Sequence, residues 1–217
     1  MSKDMIKLDS VNKFYLIDKQ KVTALSNINL SISPGEIIGI LGKNGAGKSS
    51  LLRCLNLLEK PNSGSIMIDG QALCKLSRQE LSVVRQKIGM VFQPSTLLES
   101  QTVRQNISFP LDLRKSDKQS QAKTVESLLA LIGLTSLSEA FPKELTLEQK
   151  IRVSIARALA TKPCILLCDE ITALLDPEAT ESINRLIQTI HQQFGLSVLF
   201  VTKDLETIKK MTHRAIV

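Results

Sequence analysis

Apolar and polar residues alternate from Ile6 to Val11 and again from Leu25 to Ser33, the period-two pattern of half-buried strands, and Pro34-Gly35 then turns the chain. Glu36 to Leu41 reads as a short, almost wholly apolar strand. From Ser49 to Leu58 the period changes: Leu51, Leu52, Leu55 and Leu58 fall on one helical face. Pro61-Asn62-Ser63-Gly64 marks a turn, Ser65–Ile68 a further strand, Asp69-Gly70 a turn and Ile88–Phe92 another strand. Between Pro94 and about Ala160 the pattern is helical, with Leu128, Leu129, Leu131 and Ile132 apolar, Gly133 a stop and Pro142 a break before a helix over 151–160. Strands return at 164–168 and 197–201, joined by a helix from Glu178 to Phe194. The expectation is an α/β fold, with parallel strands, crossover helices and a helical insert. No internal repeat or low-complexity segment interrupts it.

Composition narrows the picture only slightly. At 217 residues and 43% hydrophobic content, the chain can bury one full core. Its net charge is 28 − 21 = +7, with basic residues scattered rather than run together, so no nucleic-acid tail is expected. No apolar run has signal-peptide or membrane-span length, which predicts a soluble or peripheral protein. Cys54, Cys74, Cys164 and Cys168 have no metal-ligand spacing and read as small hydrophobes; His191 and His213 are isolated.

The chemistry lies in two segments. Gly42-Lys43-Asn44-Gly45-Ala46-Gly47-Lys48-Ser49 fits G-x-x-x-x-G-K-[S/T], between a strand and a helix as that motif requires. Its glycines let backbone N–H groups face a phosphate, the following helix adds its positive end, and Lys48 brings a charge to the β- and γ-phosphates. Ser49 offers a hydroxyl to Mg²⁺. The second segment, Cys164-Ile165-Leu166-Leu167-Cys168-Asp169-Glu170, ends in two acids: Asp169 to hold the metal, Glu170 to orient or deprotonate a water. Gln93, at the end of an apolar strand, brings a neutral amide to metal or water. The bland alternatives are a glycine turn that binds nothing, a strand ending in solvated charges and, for Gln93, a plain surface amide.

These segments resemble the ATP-binding subunits of ABC transporters, and within them the methionine-importer ATPases. The phrases that carry the resemblance are Ala24-Leu25-Ser26-Asn27-Ile28, Arg53-Cys54-Leu55-Asn56-Leu57-Leu58-Glu59, Ile88-Gly89-Met90-Val91-Phe92-Gln93 and Leu166–Glu170. The resemblance implies a P-loop nucleotidase: a parallel-sheet core and an antiparallel β subdomain over 1–93 and 161–217, and a helical subdomain over 94–160. It implies ATP and Mg²⁺ as cofactors. Phosphate contacts would come from residues 42–49 and Ser50, metal contacts from Ser49, Gln93 and Asp169, and catalysis from Glu170, Gln93 and Lys203. Tyr15 takes the place of the aromatic that stacks on adenine, with Phe14 beside it as the alternative. Thr146, Gln149 and Asp176 fall on segments that meet a second subunit. Implied partners are a membrane permease, met through the helical subdomain near Gln93 and Phe109-Pro110-Leu111, a second ATP-binding subunit (identical or different) and, indirectly, a substrate-binding protein. The implied location is the cytoplasmic face of the cell membrane.

The chain departs from that family in four places. The signature Leu-Ser-Gly-Gly-Gln is Leu145-Thr146-Leu147-Glu148-Gln149, which keeps a hydroxyl but adds bulk and a carboxylate. Lys203 stands where the family has a histidine, within reach of phosphate or of Glu170. Ala173-Leu174-Leu175-Asp176 replaces Ser-Ala-Leu-Asp. The chain stops at Val217, where the family continues into a C-terminal regulatory domain. Three readings follow: a transporter ATPase, a nucleotide-holding subunit with slow turnover, or a soluble ABC protein acting on nucleic acid, the last supported by charge alone.

Overall fold

The computed structural model describes residues 4–92, 96–114 and 117–217. β1 (Ile6–Ile17) and β2 (Gln20–Ile32) form an antiparallel hairpin. Its two-residue turn places Asp18 and Lys19 at φ 48° and 66°, the left-handed pair that matches strand twist. β3 (Ile37–Leu41) leads through the glycine loop into α1 (Lys48–Leu55). β4 (Ser63–Ile68) and β5 (Gln71–Ala72) complete an antiparallel sheet in the order β2-β1-β4-β5. Next come α2 (Arg78–Arg85), β6 (Ile88–Val91), then α3 (Val103–Leu113), α4 (Lys118–Leu131) and α5 (Leu147–Leu159). β7 (Ile165–Asp169), α6 (Pro177–Phe194), β8 (Ser197–Thr202), α7 (Leu205–Met211) and β9 (Arg214–Ile216) close the described chain. The second sheet, β6-β7-β8-β3-β9, is parallel throughout.

β7 and β8 are buried along their whole length, as a parallel sheet covered on both faces requires. One face packs with α1 against the antiparallel sheet, through Leu52, Leu55, Ile38, Leu199, Ile6 and Ile66. The other packs on α3, α5 and α6, through Phe200, Leu166, Ile107, Ile155 and Ile187. α1 is therefore wedged between two sheets. Truncating Leu52 or Leu55, both fully buried, to alanine costs about 2–5 kcal/mol.

Several boundaries differ from the sequence pattern. The helix expected to run to Leu58 ends at Leu55, because Asn56 caps it and Leu57 takes a left-handed φ of 50°. Leu58, expected on the buried face, is half exposed. The helix expected from Ile151 begins at Leu147, where Thr146 and Gln149 form a reciprocal capping box. α2 and α7 carry too thin an apolar stripe to be read from periodicity; α2 buries only Val84.

Candidate functional site

One cleft, of about 440 Å³, lies at the carboxyl ends of β3 and β7 and is roofed by the hairpin. Its walls are Asn44 to Ser50, Asp169 and Glu170, and Tyr15 with Val22, Thr23 and Ala24. The loop owes its shape to Gly47, whose φ is 88°; an added Cβ would sit 2.2 Å from the Ala24 carbonyl oxygen. Gly45 is left-handed as well, at φ 79°. The loop thus turns into the N-terminus of α1, whose first N–H groups are free to meet an anion.

Lys48 is buried and its ammonium folds back over the loop, 2.7 Å from Gly42 O and 2.9 Å from Lys43 O. It also lies 3.1 Å from Glu170 Oε1. Ser49 Oγ donates to Asp169 Oδ1 at 3.1 Å, joining segments 120 residues apart. Successive residues of a strand point to opposite faces, yet Asp169 and Glu170 line the same cleft. The reason is a left-handed φ of 50° at Glu170, just past the end of β7 and pinned by Glu170 N donating to Val201 O at 3.0 Å. A side-chain-bearing residue there costs about 1 kcal/mol of backbone strain, a conformation common at functional sites.

The two acids differ electrostatically. Burial pushes the Asp169 carboxyl up; the Ser49 hydroxyl opposes this and the Glu170 charge adds to it, leaving it above the ordinary range. Burial would raise Glu170 too, but the hydrogen bonds and charges of Lys203 and Lys48 outweigh it and hold it low. Lys203 Nζ stands 3.0 Å from Glu170 Oε2, so the carboxylate is clasped by two lysines.

Tyr15 borders the cleft, whereas Phe14 beside it lies under the Lys21 ammonium, 4.3 Å from its ring centre. Tyr15 OH is 2.9 Å from Ser50 Oγ. Thr146, Gln149 and Asp176 lie away from this cleft: the first two cap α5, and Asp176 caps α6 by accepting from Ala179 N at 2.8 Å. The Glu148 carboxylate turns to Arg152, 3.0 Å away, and to Ser182 of α6, 2.6 Å away. Leu147 is 37% exposed and Leu174 71%. Gln93 lies outside the described residues. Val22 and Thr23 carry no motif and Ala24 only opens the phrase Ala24–Ile28; the hairpin's fold over the loop brings all three to the cleft.

A second surface lies between α2, β6 and α3, a groove of about 500 Å³. Phe109, Pro110 and Leu113 give it an apolar wall, and Arg85, Arg114 and Arg157 a basic rim. Each arginine is anchored on backbone: Arg85 on Asn56 O and Leu57 O, Arg114 on Thr161 O, Arg157 on Thr96 O. No helix among the described residues is long and apolar enough to cross a membrane.

A family model described as ABC transporter matches residues 25–173. The methionine import ATP-binding protein MetN of Halalkalibacterium halodurans is 46% identical over 213 residues, 98% of this chain and 63% of that protein. Its counterpart in Coxiella burnetii is 48% identical over 98% of this chain and 61% of that protein. The chain thus spans less than two thirds of the length of these relatives. Among solved structures, the ATP-binding cassette MJ0796, captured as a dimer in a post-hydrolysis state with ADP and Pi, superposes with a TM-score of 0.89 at 34% identity, over 98% of this chain and 93% of that one. The cbiO1 protein of Clostridium perfringens, part of the cbiONQ transporter complex, gives 0.87 at 31% identity, over 99% and 87%.

Proposed function

The chain belongs to the ABC transporter family of ATP-binding proteins, and from that premise we propose that it binds and hydrolyses ATP to energise import of methionine or a related amino acid. The observation that carries this is the convergence of Lys48, Ser49, Asp169 and Glu170 in one cleft. The α1 N-terminus and loop N–H groups receive the phosphates, which compete with Gly42 O, Lys43 O and Glu170 for the Lys48 ammonium. Tyr15 offers its ring to the base. Ser49 Oγ and the Asp169 carboxylate are hard oxygen donors of the kind Mg²⁺ takes alongside phosphate, and the ion would neutralise phosphate charge there. Glu170, released from Lys48, accepts the proton of a water as its oxygen attacks the terminal phosphorus and ADP leaves.

The partners in this reading are a membrane permease, seated in the groove of Phe109, Pro110 and Leu113, and a second ATP-binding subunit. The groove's apolar wall and anchored arginines suit an amphipathic, acidic helix. In this reading 94–160 is the helical subdomain, and it contributes Phe109, Pro110, Leu113, Arg114 and Arg157 to the groove. The substrate rests on the names of the relatives, and the dimer on the assembly of the solved cassettes. Titration of Mg²⁺-ATP into the wild type and Lys48→Ala tests the site; equal affinities would sink it. Turnover is then compared with Glu170→Gln, which lacks the proton acceptor.

The pairing of Lys203 with Glu170 supports a second reading, a subunit that holds ATP and turns it over slowly. It expects Leu147→Gly and Lys203→His together to raise turnover, and no gain from the double change counts against it.

A further inference from the structure

Glu59 belongs to none of the phosphate or metal motifs, yet its carboxylate gathers three side chains. The Tyr15 hydroxyl donates to Oε2. Arg53 Nη1, from α1, lies 3.2 Å from Oε1, and Lys13 Nζ lies 3.8 Å from Oε2. Lys13 also stands over the Tyr15 ring, 5.0 Å from its centre, and donates to Lys60 O at 2.9 Å. The same Tyr15 hydroxyl meets Ser50 Oγ in the first turn of α1. The phenol is therefore the point where β1, α1 and the turn following α1 are tied together. That turn reaches the phenol because Leu57 takes its left-handed φ and Leu58 N is held by Asn56 Oδ1 at 3.0 Å.

We propose that Glu59 is a positioning residue for nucleotide recognition, fixing the Tyr15 ring at the mouth of the cleft and coupling its orientation to the helix that receives the phosphates. The inference rests on reading Tyr15 as the base-facing aromatic. A ring anchored only at Cβ loses rotamer freedom when a base stacks on it. A ring held also at its hydroxyl has lost that freedom in advance. Charge is consistent with this arrangement. Burial would raise the Glu59 carboxyl, but Tyr15, Arg53 and Lys13 hold it below the ordinary range, so it stays an acceptor. Burial and the Glu59 carboxylate push the Tyr15 phenol up, so it stays a donor.

The test compares Mg²⁺-ATP with Mg²⁺-tripolyphosphate, which has no base, by calorimetric titration of the whole chain. Loss of ring anchoring weakens ATP about fivefold in Glu59→Ala and in Tyr15→Phe, with tripolyphosphate unchanged and no further loss in the double variant. Glu59→Gln keeps an acceptor and retains ATP affinity within about twofold. Tyr15 is the only tyrosine and the chain has no tryptophan, so near-ultraviolet absorbance reports this phenol alone. Its neighbours are Glu59, Lys13, Ser50 and Cys54, and in Glu59→Ala it ionises at lower pH than in the wild type. Tripolyphosphate weakening in parallel with ATP would overturn the proposal, because Glu59 would then act on the phosphate loop. A Glu59→Gln variant as poor as Glu59→Ala would overturn it too. If Tyr15→Ala weakens ATP and Glu59→Ala does not, the positioning role fails while the base-facing reading stands. If Tyr15→Ala leaves ATP untouched, both fail.

Discussion

Replacing Lys203 by glutamine removes one of the two cations on Glu170 while keeping a hydrogen-bond donor. Unit charges 3.0 Å apart attract by about 5 kcal/mol at an effective dielectric of 20. Lys203 is 45% exposed, however, so solvent screening and side-chain entropy reduce the pair to about 1 kcal/mol. Lys48 is buried and is drawn off by phosphate in the proposed mechanism; Lys203 is not, and it remains as the restraint on Glu170. Freeing the carboxylate of about 1 kcal/mol of ground-state pairing speeds its proton acceptance about fivefold. The assay is single-turnover hydrolysis of Mg²⁺-ATP at saturating protein, with Glu170→Gln as the zero. Raising the salt concentration should narrow the gap between wild type and Lys203→Gln, since the pair is partly exposed. A slower Lys203→Gln variant would refute the reasoning: Lys203 would then serve the phosphate more than it hinders the base.

Asn106, fully buried, accepts from Leu98 N at 2.8 Å and donates to Leu98 O, Gln101 O and Thr102 O, so it shapes the chain entering α3 beside the groove. Asn106→Ala strands Leu98 N and Gln101 O, while Leu98 O keeps Gln101 N and Thr102 O keeps Asn106 N, and it lowers stability by about 3 kcal/mol in urea unfolding; a loss under about 1 kcal/mol contradicts this account. Gly47→Ala forces a side chain into a left-handed backbone and against Ala24 O, at a cost of about 2 kcal/mol or more. Nucleotide affinity should fall at least tenfold by calorimetry, and an unchanged value would mean the loop has room that its geometry denies. Glu59 has a folded pKa below its unfolded value of about 4.3, so its stabilisation is present above that pH and is lost as pH falls through the folded value. Acid unfolding monitored by circular dichroism should therefore be shallower in Glu59→Gln than in the wild type.

The α/β order, the glycine loop and the acid-ended strand were legible because each is written locally: a glycine spacing, an apolar run, a change of period. The capping box of α2 was local too, in Ser77-Arg78-Gln79-Glu80, but a helix burying one residue leaves almost no periodic signal. What stayed illegible depends on backbone turns and on distant segments. No pattern announces that Glu170 turns left-handed, and without that turn it would point away from Asp169. The Tyr15–Glu59 contact spans 44 residues and two elements, and nothing in either neighbourhood marks it. Leu58 misled for the same reason: helical spacing continued through Leu57, while the backbone did not.

The altered signature shows how far residue identity can be from effect. Read from the sequence, Glu148 adds a carboxylate where the signature segment meets a second subunit. In the structure its carboxylate turns toward α6, where Arg152 neutralises it and Ser182 donates to it. Arg152 in turn donates to Ile132 O at 2.9 Å, tying the start of α5 to the end of α4. An acidic residue in a first helical turn also favours the helix dipole. Glu148 thus reads as a structural group tying α5 to α6, and its charge is the weaker account of any slow turnover. Two features remain to explain it: the exposed bulk of Leu147, where the family has glycine, and the hold of Lys203 on Glu170. The first limits how closely another molecule approaches this backbone, and the second limits the base within the chain's own cleft. Salt weakens the second and leaves the first unchanged, so the salt response of hydrolysis separates them.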